Sequence, residues 1–410
     1  MVASRRLQAL PTYVFAELEA EAAGSEVLDL GRADSDGAVP EAAVDALSQA
    51  VALGAHHRYA PFAGLPELRR AIARWYAQRH GVALDPEREV LVTAGSKTPL
   101  FHAALAFCDP GDVALVPDPS LPTYRIGAYL AGAETVTLPL PAAAGHLPDL
   151  AAVPGAAARR TTLVFLNYPN NPTGAVAPQA FFAEAVAFAR QHGALLCHDF
   201  SYGESGHGGY RAPSLLQSKG ARDVAVEVIS WSDAFGVPGW RLGAVVGAAG
   251  AVGALARVEG HAAAGVFPAV QRAGAILLDT LGRSSFLGTK AEAYRQRRDR
   301  MLAALAAAGW PTGAPRATPF LWIPCRPGMS SREEAAWILQ RTGVLLTPGT
   351  GFGAGGEGFL RLSLAAAEPV LTEAAERLRR LGRPDQAGAG TAGAAPPRRE
   401  HLSRALRGSL

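Results

Sequence analysis

Ser230-Trp231-Ser232-Asp233-Ala234-Phe235-Gly236-Val237-Pro238-Gly239-Trp240-Arg241-Leu242-Gly243 lies between two apolar runs, Val224–Ser230 and Gly243–Gly247. Both runs read as buried strands. The connecting stretch gathers two hydroxyls (Ser230, Ser232), a carboxylate (Asp233) and a guanidinium (Arg241). Hydroxyls and a fixed cation suit an anion cup.

Outward from this stretch, strand-like runs alternate with alanine-rich helical stretches. Further strands are expected at Val90–Thr93, Val113–Val116, Thr162–Leu166 and Ala194–His198, with helices at Leu65–His80, Thr98–Phe107 and Phe181–His192. The alternation predicts an α/β fold built on a parallel sheet. From about Tyr294 the pattern changes. A helix (Tyr294–Ala308) precedes short strands near Phe320–Ile323, Val344–Leu346 and Leu360–Ser363, with helices at Ser331–Thr342 and Glu368–Leu381. This is an α+β unit. The expected organisation is an N-terminal arm (1–45), a large domain (46–290), a small domain (291–382) and a disordered, Gly/Ala/Pro-rich tail (383–410) ending in a basic segment.

A chain of 410 residues with 49% hydrophobic content suits a two-domain enzyme. No apolar run is long enough to span a membrane, and Met1 to Gly24 carries no export signal. Cys108, Cys197 and Cys325 lie far apart in apolar contexts, so they read as buried free thiols of a cytoplasmic protein. A net charge of +3 gives no case for nucleic acid. The sequence contains three lysines, Lys97, Lys219 and Lys290.

Several other motifs bear chemistry. Thr93-Ala94-Gly95-Ser96-Lys97 runs from a strand into a helix. Its glycine lets the backbone approach, and the Ser96 and Lys97 amides would face an anion. Asp199 ends the run Ala194–His198. It is either a helix N-cap or an acid facing the ligand crevice of the sheet. Asn171 sits among turns in Asn167-Tyr168-Pro169-Asn170-Asn171-Pro172-Thr173-Gly174. Arg361, inside Phe359-Leu360-Arg361-Leu362-Ser363, is an arginine in an apolar strand. A buried guanidinium needs an anion, and a bidentate carboxylate is the natural one.

Together these motifs resemble the fold-type I, class I/II pyridoxal-phosphate aminotransferases, nearest the diaminopimelate and succinyl-diaminopimelate branch, over roughly residues 25 to 382. The family pattern is Ser-x-Ser-Lys, five residues, Gly-x-Arg-x-Gly, and Ser230 to Gly243 matches every fixed position except the lysine. The resemblance implies a large domain with a mostly parallel sheet flanked by helices and a smaller α+β domain. It implies that Gly95, Ser96, Lys97, Ser230, Ser232 and Arg241 hold the phosphate. Asp199 would face the ring nitrogen, and Tyr202 and Asn171 the phenolic oxygen. Arg361, with Gly31 and Asn171, would hold the substrate carboxylate. Tyr59 matches a tyrosine that reaches the phosphate of the neighbouring subunit, which implies a homodimer with shared sites.

Two positions depart from the pattern. Asp233 stands where the family carries its Schiff-base lysine, six residues before Gly239 and eight before Arg241. Leu121 stands where the family stacks an aromatic ring on the cofactor. A carboxylate cannot form an imine. The expectation is therefore pyridoxal 5'-phosphate or pyridoxamine 5'-phosphate held noncovalently, with Asp233 and Tyr202 as catalytic groups and an amino acid or keto acid as substrate. The alternatives are a catalytically inactive homologue, or a repurposed biosynthetic enzyme that does not use this cofactor. Gly351-Phe352-Gly353-Ala354-Gly355-Gly356 fits a dinucleotide fingerprint but leads into a strand, not a helix. His56, His57, His102, His198 and His207 have no metal-ligand spacing, so no metal is expected.

Overall fold

A computed structural model of the chain describes residues 3–22, 27–34, 39–280, 282 and 284–382. The expected tail, 383–410, lies outside the described residues.

The described residues form twelve strands: β1 (Leu28–Asp29), β2 (Val90–Thr93), β3 (Val113–Asp118), β4 (Glu134–Pro139), β5 (Thr161–Asn167), β6 (Leu195–Asp199), β7 (Ala225–Ser230), β8 (Gly243–Gly247), β9 (Phe320–Pro324), β10 (Val344–Leu345), β11 (Thr347–Pro348) and β12 (Phe359–Ser363). Seven of them make one sheet in the order β2-β8-β7-β6-β5-β3-β4. The pairings from β7 to β4 are all parallel, as the alternation of strands and helices predicts. β8 runs antiparallel to both β7 and β2. The connection from β7 to β8 holds only the short helix Trp231–Phe235 and a 3-10 turn at Pro238–Trp240. That is too little chain for a helical crossover, so β8 returns beside β7 in the opposite direction.

The central strands are buried along nearly their whole length, and apolar clusters cover both faces of the sheet. That is the burial expected of a parallel sheet sandwiched between helices. β4 was not expected from the sequence. It is an edge strand with Leu138 as its only buried residue, so it lacks the apolar run that marks the others. The helix expected at Tyr294–Ala308 starts earlier and spans Phe286–Ala307, so the expected division at 290/291 falls within it. Nothing in Thr289-Lys290-Ala291 breaks a helix.

The second unit is a three-stranded antiparallel sheet, β11-β12-β9, beside the parallel pair β1 and β10. The N-terminal arm thus contributes a strand to this unit, and Leu30 is fully buried in its core. Cys108 and Cys197 are buried as expected, whereas Cys325 is only half-buried, because it lies just past the end of β9. Among the described residues no helix is long and apolar enough to cross a membrane, and no group of three or more His, Cys, Asp or Glu is placed to hold a metal.

Candidate active site

Strand register gathers the predicted residues at one edge of the large sheet. Asn167 pairs with Asp199 across β5 and β6. Ser230 pairs with Gly243, and Gly243 with Thr93, across β7, β8 and β2. The C-terminal ends of β2, β5, β6 and β7 therefore meet on one side, where open α/β sheets hold ligands.

The anion cup forms where β2 turns into the helix Lys97–Phe107. Gly95 has φ +78°, a left-handed conformation that favours glycine. A Cβ there would lie 2.3 Å from Nη2 of Arg241, so Arg241 packs directly on this turn. A Cβ on Gly243 would lie 2.5 Å from the carbonyl carbon of Gly95 and 2.8 Å from the Ser96 amide nitrogen. Ser230 caps the helix Trp231–Phe235, its Oγ accepting from the Ser232 amide at 3.1 Å. Backbone amides at a helix start, two serines and a guanidinium are the donor set a phosphate needs, so these residues fit the cofactor's phosphate. The Lys97 amine is used otherwise. It donates to the Tyr13 hydroxyl at 2.7 Å and lies 4.1 Å from the centre of that ring. Gly243→Ala is expected to push the Gly95–Ser96 backbone away, because the atoms it meets are main chain. Stability should fall by about 1–3 kcal/mol. Cofactor affinity, measured by titration, should drop on the order of ten-fold.

Asp199 is 4% exposed. One carboxylate oxygen accepts from the Tyr124 hydroxyl at 2.6 Å, the other from the Ser201 hydroxyl at 2.5 Å and the Ser201 amide at 3.1 Å. It is thus held in place with lone-pair capacity left for a ring N–H. The helix N-cap reading does not describe it, because no helix follows directly after β6. Tyr124 was not singled out in the sequence. It stands three residues after Leu121, the residue preceding the helix Pro122–Ala131, and its ring stacks on Phe165 at 4.9 Å. Burial, then the neighbouring Asp199 charge, pushes the Tyr124 phenol well up, so it stays a donor.

Arg361 is 1% exposed and forms the centre of the second half of the site. Its Nη1 donates to Asn171 Oδ1 at 2.9 Å and its Nη2 to the Gly31 carbonyl at 2.6 Å. Asn171 in turn donates through Nδ2 to the Tyr202 hydroxyl at 3.4 Å. The Asn171 amide is fixed by Asn167 Oδ1 at 2.8 Å. Gly31, Asn171, Arg361 and Tyr202 thus form one connected chain. The guanidinium lies within 5.1 Å of the ring centres of Phe15, Phe320 and Phe352. Among the described residues it has no carboxylate partner, and its buried Nε has no hydrogen-bond acceptor. Desolvation lowers its pKa to about 10. A buried cation with an orphaned donor fits a carboxylate ligand.

Asp233 lies in the first turn of the helix Trp231–Phe235 and accepts a hydrogen bond from the Ser205 hydroxyl. It borders a small cavity with Ser205, His207 and Lys290. Its charge also reaches Tyr202, whose phenol is pushed up mainly by burial, then by Asp233. Tyr59 is not part of this site within one chain. It is 89% exposed, on the segment after the short 3-10 helix Gly54–His57. Ser205, Asn167 and Lys290 were missed in the sequence, because each becomes notable only through a spatial neighbour.

Comparison with known proteins places these features in a family. The family model for aminotransferase class I and II matches residues 25–378. The LL-diaminopimelate aminotransferase of Desulforudis audaxviator is 45% identical over 383 residues, 92% of this chain and 97% of that protein. That of Moorella thermoacetica is 43% identical, covering 93% of this chain and 98% of its own length. Among solved structures, a probable N-succinyldiaminopimelate aminotransferase from Thermus thermophilus superposes with a TM-score of 0.83 at 37% identity, over 90% of this chain and 99% of that one.

Proposed function

The chain belongs to the class I and II aminotransferase family, and on that premise we propose an aminotransferase-type enzyme acting on an amino acid and its keto acid, with Asp233 in place of the family's lysine. The likeness to the diaminopimelate aminotransferases points to a diaminopimelate-like α-amino acid as substrate. The family uses pyridoxal phosphate. Here the cofactor, as pyridoxal or pyridoxamine phosphate, is held noncovalently.

The observation that carries this reading is Arg361, a buried guanidinium without a carboxylate, wired through Asn171 to Tyr202. When bound, pyridoxal phosphate supplies an electron sink for the pair left behind as a substrate α-proton departs. Gly95, Ser96, Ser230, Ser232 and Arg241 bind its phosphate. Asp199 holds a proton at the ring nitrogen, and Tyr124 and Ser201 keep Asp199 aimed. Tyr202 and Asn171 donate to the phenolic oxygen. Arg361 orients the substrate by its carboxylate, so the α-proton is presented in one geometry. Asp233 takes and returns that proton as a general base and acid. Tyr59 reaches the phosphate of a second copy in a homodimer.

The test needs no substrate. The purified protein is titrated with each cofactor form, then treated with borohydride and weighed. Saturable binding of one form with no mass gain on the peptide carrying position 233 is the expected result. Failure of both forms to bind would leave the inactive or repurposed alternatives.

A further inference from the structure

Beside position 233 lies a cluster whose other members the site described above does not use. The small cavity there is lined by Ser205, Glu204, His207, Asp233, Lys290 and Thr318, among others. Lys290 enters it from the helix Phe286–Ala307. Its stem is half-buried, but its Nζ is buried and has no hydrogen-bond partner among the described residues. The ring of Tyr294 lies 5.6 Å from it. A buried ammonium without a partner is costly, so an amine in this position is driven toward its neutral form or toward an acid.

Two acids and three other groups that titrate or carry charge surround it. Glu204 is already bound by Arg79, through Nε at 3.1 Å. His207 engages the Thr318 carbonyl at 2.8 Å. Arg297, on the same helix as Lys290, donates to Glu368 at 3.2 Å and opposes the ammonium. Tyr294 offers only a ring face and a phenol. Asp233 remains: its hydrogen bond comes from the neutral Ser205 hydroxyl, and it is the acid whose charge acts on Lys290. The carboxylate thus has both the cleft group Tyr202 and a buried amine within range of its charge.

We propose that Lys290 is a positioning residue that acts through Asp233, serving as the proton reservoir for the carboxylate at the cleft. The inference rests on the acid/base role given to Asp233 above. When the Asp233 carboxyl gives its proton to an acceptor in the cleft, the Lys290 ammonium returns one through a water molecule in the small cavity the two side chains share, and becomes the neutral amine. When Asp233 takes a proton, the transfer reverses. Only O–H and N–H bonds change, and no electrons leave the pair. Desolvation lowers the Lys290 pKa from its ordinary value, so burial weakens the amine's hold on its proton.

With only three lysines in the chain, the test can be direct. The 13Cε resonances of Lys97, Lys219 and Lys290 are followed against pH without cofactor and assigned by single Lys→Arg substitutions. Lys290 should titrate lowest of the three. In Asp233→Asn, which removes the carboxylate attraction, its midpoint should move further down. An unchanged midpoint in Asp233→Asn overturns the proposal.

A second measurement follows exchange of the substrate α-proton in D2O with cofactor present. Lys290→Met should slow exchange on the order of ten- to a hundred-fold, with cofactor affinity kept within about two-fold. Lys290→Arg keeps the bulk and charge but never releases its proton, so it should not restore the rate. Wild-type exchange in Lys290→Arg would make Lys290 a fixed counter-charge and sink the relay. If the wild-type chain shows no exchange while the two side chains are coupled in the titration, the fault lies with the proposed function, not with the pairing.

Discussion

Asp233→Lys should give a protein that, after borohydride reduction, keeps its cofactor through denaturation, where the noncovalent binding proposed above would release it. The groups proposed above to hold the cofactor are fixed in place in this chain. The proposed phosphate cup is packed around Gly95, with Arg241 against the turn. Asp199 is fixed by three hydrogen bonds. Asn171 and Tyr202 stand within 3.4 Å of each other. A lysine at 233 starts from the first turn of the helix Trp231–Phe235. The expected result is a visible absorption band on adding pyridoxal phosphate. After borohydride, a mass gain of one cofactor should appear on the peptide carrying position 233. The new ammonium would also meet Lys290 in the cavity that Asp233 now borders. Like charges in a buried site disfavour each other, so the double variant with Lys290→Met should form the adduct more completely. A single variant that binds cofactor but gains no mass would show that the position no longer aims at the cleft.

Arg361→Leu should separate binding from stability. The guanidinium is buried against three aromatic rings and makes no ion pair with a carboxylate among the described residues. Its pKa of about 10 shows that desolvation disfavours the charge, by about 3 kcal/mol. The folded-state value lies below that of free arginine, so the charged form costs stability at every pH below about 10, and the cost fades only above it. Against this stand two hydrogen bonds, to Asn171 and to the Gly31 carbonyl. Losing their donor leaves two buried acceptors unsatisfied, at about 1–3 kcal/mol each. The opposing effects are of similar size, so Tm should shift by only a few degrees. Binding should respond very differently. Truncating one partner of a buried, hydrogen-bonded charge pair costs about 2–5 kcal/mol. The Kd for a carboxylate substrate should therefore rise on the order of 10²-fold. Unchanged affinity would mean that the carboxylate docks elsewhere, and a collapse of Tm would make Arg361 a structural residue.

Most of the scaffold was legible in the sequence. β2 and β8, and the helices Ser331–Thr342 and Glu368–Leu381, have the bounds their apolar patterns predict. These are segments where local pattern and burial agree. The edge strand β4 escaped because an exposed edge imposes little hydrophobic pattern. The direction of β8 was not readable either, since it depends on how little chain connects it to β7.

The site divides along the same line. Local motifs, together with the family they resemble, brought Gly95, Ser230, Ser232, Arg241, Asp199, Tyr202, Asn171 and Arg361 forward as candidates, and exposed the carboxylate at 233. These identities sit at fixed distances along short turns and strand ends, so local sequence carries them. What the tertiary structure decided is which groups act on one another. Tyr124 meets Asp199 from 75 residues away in the chain, Gly31 meets Arg361 from 330 away, and Lys290 reaches the Asp233 cavity from a separate helix. A side chain's charge state and partners depend on what burial excludes and what lies within a few ångströms. Sequence separation carries no record of that until the chain has folded.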